Sequence, residues 1–177
     1  MATLIKIRQV VQDNWQLLEA AANGALPGVP AQGDVIVPLA LWRRERANLL
    51  ARDGRLGVRL EASDGPEALA EDLAHFDVVA VHFPKFTDGR GYSTARLLRE
   101  RYGYRGEIRA IGDVQRDQLL HLSRCGFDAF AVKERRDPEA LLGAFADFSE
   151  AYQASVERPL PLFRRRVANA PDGMERS

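Results

Sequence analysis

The 177-residue chain carries 25 Lys plus Arg against 25 Asp plus Glu, a formal net charge of zero, and 46% of its residues are apolar. That length suits one domain with a real core, and the charge balance excludes the globally basic surface that nucleic acid or an acidic membrane attracts. Cys125 stands alone, which excludes an internal disulfide, CxxC pairs and zinc-ligand spacing. No apolar run is long enough to span a membrane, and the start MATLIKIRQ has no signal pattern, so a cytoplasmic protein is expected.

In chain order, residues 4–18 alternate loosely (Leu4, Ile5, Ile7, Val10, Val11, Trp15, Leu17) about Gln12-Asp13-Asn14. This predicts a short N-terminal hairpin with Trp15 packed against the rest. Residues 20–33, rich in Ala, Gly and Pro, read as a linker. The organisation expected is therefore a hairpin and linker over residues 1–33, an α/β domain over 34–155, and a tail over 156–177.

Within the domain, 35–37 is a short apolar strand, followed by a helix with Leu39, Trp42, Leu49 and Leu50 near one face and Gly54 as its stop. A second strand is predicted at 58–61. Gly65-Pro66 opens a helix with Leu69, Leu73 and Phe76 at helical spacing. Val78–Phe83 is the most apolar strand and hence the central one. Then come a helix over 93–102 closed by Gly103, a strand at 108–111, and a helix over 114–125 capped by Asp113 and ended by Gly126. After a strand at Ala129–Val132, Asp137-Pro138-Glu139 begins a helix with Leu141, Phe145, Phe148 and Tyr152 in one stripe. The tail, with Pro159, Pro161 and Arg164 to Arg166, reads as extended or disordered, and its ERPLPLFRRR stretch has the composition of a partner-docking segment.

Strand then helix, repeated about five times, predicts parallel strands joined by right-handed crossovers. The expected fold is α/β: an open, mostly parallel sheet of about five strands with helices on both faces, doubly wound in the flavodoxin or Rossmann manner, plus the hairpin. A partial (β/α) barrel is the alternative, since five units fall short of the eight that close.

Ligands of such sheets bind beyond the carboxyl ends of the strands. One loop there reads FPKFTDGRGYSTAR, residues 83–96. Gly89 and Gly91 permit close backbone approach, Lys85 and Arg90 supply positive charge, and Thr87, Ser93 and Thr94 supply hydroxyls beside a helix start. Together with Asp88 this is a recipe for an anion site. The competing reading is a surface loop in which Arg90 pairs with Asp88 and the aromatics cap the sheet. Neither the P-loop nor the GxGxxG pattern is present, so ATP and NAD are not indicated. The turn IRAIGDVQRDQ (108–118) is the second candidate, with Gly112, Asp113, Asp117 and Gln118 expected beside the first loop if their strands are neighbours. Arg109 needs a carboxylate or an anion if it points inward. Cys125 reads as buried and inert, and His75, His82 and His121 as structural or surface residues with no metal-ligand spacing.

The 83–93 run, followed by GEIRAIGDVQRDQ and RCGFDAF (124–130), resembles a bacterial family of unknown function. Its members are labelled as oxidoreductases involved in sulfite reduction and associated with assimilatory sulfite reductase genes. The resemblance extends over 10–152, including the DNW and DVIVPLALW segments. It implies a role in sulfur assimilation, as an accessory of sulfite reductase that binds the reductase or an anion such as sulfite through the 83–96 loop. The alternative is an enzyme, an oxidoreductase by the family's label, acting on a small anionic or phosphorylated compound at the same loop. The residues specify no cofactor: there are no cluster cysteines and no redox-active pair. A flavin whose phosphate rests on a loop after a strand remains compatible with the expected fold.

Overall fold

The structure is a computed structural model and describes residues 3–21, 23–132 and 138–145. Its strands are β1 (Thr3–Lys6), β2 (Gln9–Val11), β3 (Gln16–Leu17), β4 (Val35–Pro38), β5 (Leu56–Leu60), β6 (Val78–Phe83), β7 (Glu107–Gly112) and β8 (Ala129–Val132). The helices are α1 (Leu39–Leu50), α2 (Arg90–Glu100), α3 (Leu119–Arg124) and α4 (Pro138–Gly143). All eight strands share one sheet in the order β2-β1-β8-β7-β6-β5-β4-β3. Neighbours from β3 to β8 are parallel, and β1 runs antiparallel to both β2 and β8.

This order corrects the doubly wound expectation. Parallel strands laid down in sequence order, each joined by a right-handed crossover, place every crossover on the same face. Accordingly Trp42 of α1, Leu98 of α2, Leu122 of α3 and Leu141 share one core with Val37, Val58, Val81, Ile108 and Phe130. The strand residues of opposite parity, Ile36, Val78, Ala80 and Ile111, form a smaller cluster on the inner face. Among the described residues helices therefore cover one face, not two, and the strand order has no reversal and no switch-point crevice. The partial-barrel alternative is the one that fits: the sheet is an open, curled half-barrel.

The curl follows from chain length. Eight flat strands at about 4.8 Å spacing put their edges ~34 Å apart. Yet β2 and β3 lie on opposite edges, and the five residue steps from Val11 to Gln16 reach at most ~18 Å. The connection crosses the inner face. There Asp13 meets Arg109 of β7 at 3.0 and 2.9 Å, and Trp15 packs against the inner cluster. Small inner-face residues, Gly57 and Ala80, leave the room: a Cβ at Gly57 would stand 3.0 Å from both Ile36 and the Val78 carbonyl.

Several elements depart from the expectations. The sheet has three more strands than the five predicted: the predicted N-terminal hairpin supplies β1 and β2, which join the sheet through β8 instead of lying apart from it, and β3, only two residues long, adds the far edge. The hairpin turns at Ile7-Arg8, both with positive φ, rather than at residues 12–14. The segment after Gly65 forms two 3₁₀ turns, Pro66–Leu69 and Leu73–His75, instead of an α-helix. Its apolar residues Leu69, Leu73 and Phe76 are buried as predicted. Asp72 ties those turns to α1, accepting from the buried Trp42 Nε1 at 2.8 Å and from Arg46. Leu50 ends α1 exposed rather than on its buried face. Leu141 and Phe145 are buried. Phe148, Tyr152 and the 156–177 tail lie outside the described residues.

Asp13→Ala would strip a buried guanidinium of one carboxylate. Charge-assisted bonds of this kind contribute about 2 kcal/mol. The urea midpoint should fall accordingly, while the exposed neighbour Asn14→Ala stays within ~0.5 kcal/mol of the parent chain.

Candidate functional site

The carboxyl ends of β5, β6 and β7 form a rim, and both predicted loops rise from it. β6 and β7 are adjacent and in register through Phe83 and Gly112, which brings the second turn beside the first loop as expected. Phe83 is buried and packs edge-on to Tyr92, ring centroids 5.5 Å apart. Gly91 sits directly above that ring, where a Cβ would come within 2.5 Å of Phe83 Cζ, so the glycine is needed for the close approach.

The rest of the loop is fastened to the second turn. Phe86 N–H donates to Asp113 Oδ2 at 2.9 Å, and Gln118 Nε2 donates to the Phe86 carbonyl at 2.9 Å and to the Tyr92 hydroxyl at 3.0 Å. With both its backbone groups tied down, Phe86 keeps half of its surface exposed (50%). Lys85, Thr87, Gly89 and Arg90 are exposed beside it.

Two local expectations change. Asp113 is not a helix cap: it serves Phe86, and the capping box is made by Gln115 and Gln118 ahead of α3, which starts at Leu119. α2 begins at Arg90, three residues before the predicted 93, so Ser93 lies one turn inside it and is exposed.

The charges at the loop are internally matched. Arg90 Nε and Nη2 donate to Asp88 at 3.0 and 2.7 Å, and Arg90 N–H also reaches Asp88 Oδ1 at 3.2 Å. These bonds hold the Asp88 carboxyl down to about 2. The Asp88–Arg90 pairing of the surface-loop reading is thus present. Asp117 is exposed on the flank.

Arg109 points to the inner face and is only 2% exposed. Glu107 at 2.6 Å and Asp13 supply the carboxylates it requires, and Lys6 completes the chain to Glu107 at 2.8 Å. It calls for no external anion. Cys125 is half-buried rather than buried as expected, and burial pushes its thiol up.

A second group of side chains on the same rim was missed. Arg59 and Glu61 at the end of β5 meet His82 near the end of β6. Glu61 Oε2 lies 2.7 Å from His82 Nδ1, Arg59 Nε lies 2.7 Å from Glu61 Oε1, and Arg59 Nη1 lies 2.9 Å from Glu19. The available signal was alternation: Arg59, His82 and Arg109 each interrupt an apolar strand at the parity of its inner face.

A family described as "Bacterial protein of unknown function (DUF934)" matches residues 57–163, more than half of the chain. The chain belongs to this family. No curated protein matches it. The DUF934 match begins within β5 and takes in Arg59, Glu61, His82, the 83–96 loop and the second turn. Asp13, Glu19 and the strands β1 to β4 precede it.

The Asp88–Arg90 clamp should have a one-sided pH response. A depressed carboxyl contributes above its ordinary range and loses that contribution as pH falls through the folded value. The Asp88 side-chain carboxyl ¹³C resonance should therefore titrate with a midpoint near 2, and the Arg90 Nε–H chemical shift should move with the same midpoint. In Asp88→Asn the Arg90 shift should stay constant over that range.

Proposed function

We propose that the chain is an accessory protein of assimilatory sulfite reduction that docks on the reductase through its 83–96 loop. The sulfur-assimilation part of this reading comes from the family resemblance. The docking part is carried by one observation, the half-exposed Phe86 ring whose own N–H and C=O are both fixed by Asp113 and Gln118. A rigid, exposed aromatic is the residue type that dominates binding at protein interfaces. Fixing its backbone beforehand removes much of the ordering cost of association. Exposed Lys85 and Thr87 on either side give the ring a polar rim.

The competing reading, an enzyme acting on a small anionic compound at this loop, is less well supported. Arg90 is already held by Asp88 in two side-chain bonds, so an anion would have to displace a carboxylate. Lys85 alone is a weak basis for a small-anion site.

Immobilised chain should retain sulfite reductase from a lysate of cells induced for sulfur assimilation. Phe86→Ala should weaken retention about 30-fold, the loss typical of an interface hot spot, and Lys85→Ala should weaken it less. Retention unchanged in Phe86→Ala would sink the docking surface. A melting-temperature scan against sulfite, sulfate, phosphate, FMN, FAD and NADPH separates the readings. A sulfite-dependent rise that disappears in Arg90→Ala would replace the docking surface with an anion site.

A further inference from the structure

The docking reading makes no use of the Arg59–Glu61–His82 group, which lies outside the 83–96 loop. His82 occupies the inner face near the carboxyl end of β6, with its side chain 23% exposed. Its Nδ1 stands 2.7 Å from Glu61 Oε2. Two lone pairs do not face one another at that distance, so a proton lies between them. Burial pushes the Glu61 carboxyl up, but the hydrogen bond from His82 and the charge of Arg59 outweigh it, and the carboxyl ends below its usual range. The proton therefore belongs to Nδ1. In the neutral ring, the lone pair is then on Nε2.

That lone pair is left without a partner: Nε2 makes no hydrogen bond among the described residues. The Nε2–Cδ2 edge of the ring passes close to Gly112, where a Cβ would stand 3.0 Å from Nε2 and 2.7 Å from Cδ2. Gly112 has φ +97°, so its backbone also disfavours a side chain.

The charged groups around the ring can be enumerated by element. β5 presents Arg59, whose Nη2 is 3.1 Å from Nδ1, and Glu61. The segment after β3 presents Glu19 through Arg59. β7 presents Ile111, which is in register with His82, and then Gly112, neither of them charged. Asp113 is turned toward Phe86 N–H. With a neutral ring, Arg59, Glu61 and Glu19 sum to one net negative charge, and Asp64, which accepts from Glu61 N–H at 2.9 Å, adds another; a proton on Nε2 lowers that negative charge by one. Such a group accepts a proton from an uncharged donor and repels an anionic one.

We propose that His82 Nε2 is the general base of a proton-transfer site for a small uncharged hydroxyl or thiol compound, with Glu61 as its positioning residue. The O–H or S–H bond breaks, its electron pair stays on oxygen or sulfur, and a new N–H bond forms at Nε2. The resulting imidazolium is held by Glu61, and the same proton returns when the step reverses. The carboxyl-end rim is where (β/α) barrels carry their chemistry, and the half-barrel places His82 there.

Two measurements on the full chain test this. Ring ¹⁵N spectra should show neutral His82 protonated at Nδ1. In Glu61→Ala, Arg59 becomes the donor to Nδ1 and the proton should move to Nε2. Second, the chain in a Cys125→Ser background should accelerate thiolysis of 4-nitrophenyl acetate by uncharged 2-mercaptoethanol more than by anionic 3-mercaptopropanoate. His82→Gln should remove the acceleration, on the order of 100-fold, and Glu61→Ala should reduce it by ~10-fold. A wild-type ring protonated at Nε2, or a His82→Gln chain that keeps the rate, would overturn the proposal. Should His82→Gln fail to fold, Glu61→Ala decides alone, because Glu61 is half-exposed at a strand end and its loss leaves the core intact.

Discussion

A guanidinium on the inner face of a central strand sets the terms for the rest of this fold. Arg109 is 2% exposed, and an unpaired charge at that depth costs several kcal/mol. Glu107, two residues earlier on the same strand, supplies one carboxylate, and the second comes from Asp13, 96 positions away in sequence. For Asp13 to arrive, the N-terminal segment has to cross the inner face. It can do so in four residues only if the sheet curls. Burying Arg109 and bending the sheet are thus two aspects of one constraint.

Winding on one face then divides the protein into unlike halves. The helix side is apolar and packed, with Val58, Val81, Ile108 and Trp42 at or below 1% exposure. The inner side has only a small apolar cluster, and much of the space around it is taken by ion pairs among Lys6, Asp13, Glu107 and Arg109, then Glu19, Arg59, Glu61 and His82. The polar residues on the strands therefore read as the lining of a trough, with its chemistry concentrated where the trough opens at the carboxyl ends.

How much of this the sequence disclosed follows from the strength of each local signal. β6 and β8 were legible to the residue, since Val78–Phe83 and Ala129–Val132 are apolar runs with clear ends. The adjacency of the two loops was also readable, because successive βα units tend to be neighbours. The hairpin turn was not: Ile7 and Arg8 adopt positive φ without the Gly or Asn that normally marks such a turn, so the polar residues Gln12 to Asn14 attracted the assignment instead. Strand order was equally hidden. Doubly wound and singly wound sheets share the same alternation of strand and helix, and what distinguishes them here is the unreversed order β4 to β8, which is set by long-range strand pairing. The 3₁₀ turns after Gly65 kept helical burial of Leu69, Leu73 and Phe76 while Asp72 bound Trp42, so periodicity gave the buried face and missed the geometry.

At the rim, what escaped was a matter of where each residue's partner lies. Lys85, Asp88, Gly89 and Arg90 are close in sequence, so a local scan collects them, and Arg90 and Asp88 then satisfy one another. Glu61 and His82 are 21 residues apart and meet only because β5 and β6 pair in parallel, carrying their ends to the same level. Charges gathered by sequence proximity tend to neutralise within the loop. The side chain left with an unshared lone pair is the one whose partner arrives from another strand: Glu61 consumes Nδ1, and Gly112 provides no group to consume Nε2. Chemical availability at this rim is therefore set by strand register, and a single strand read by itself does not contain it.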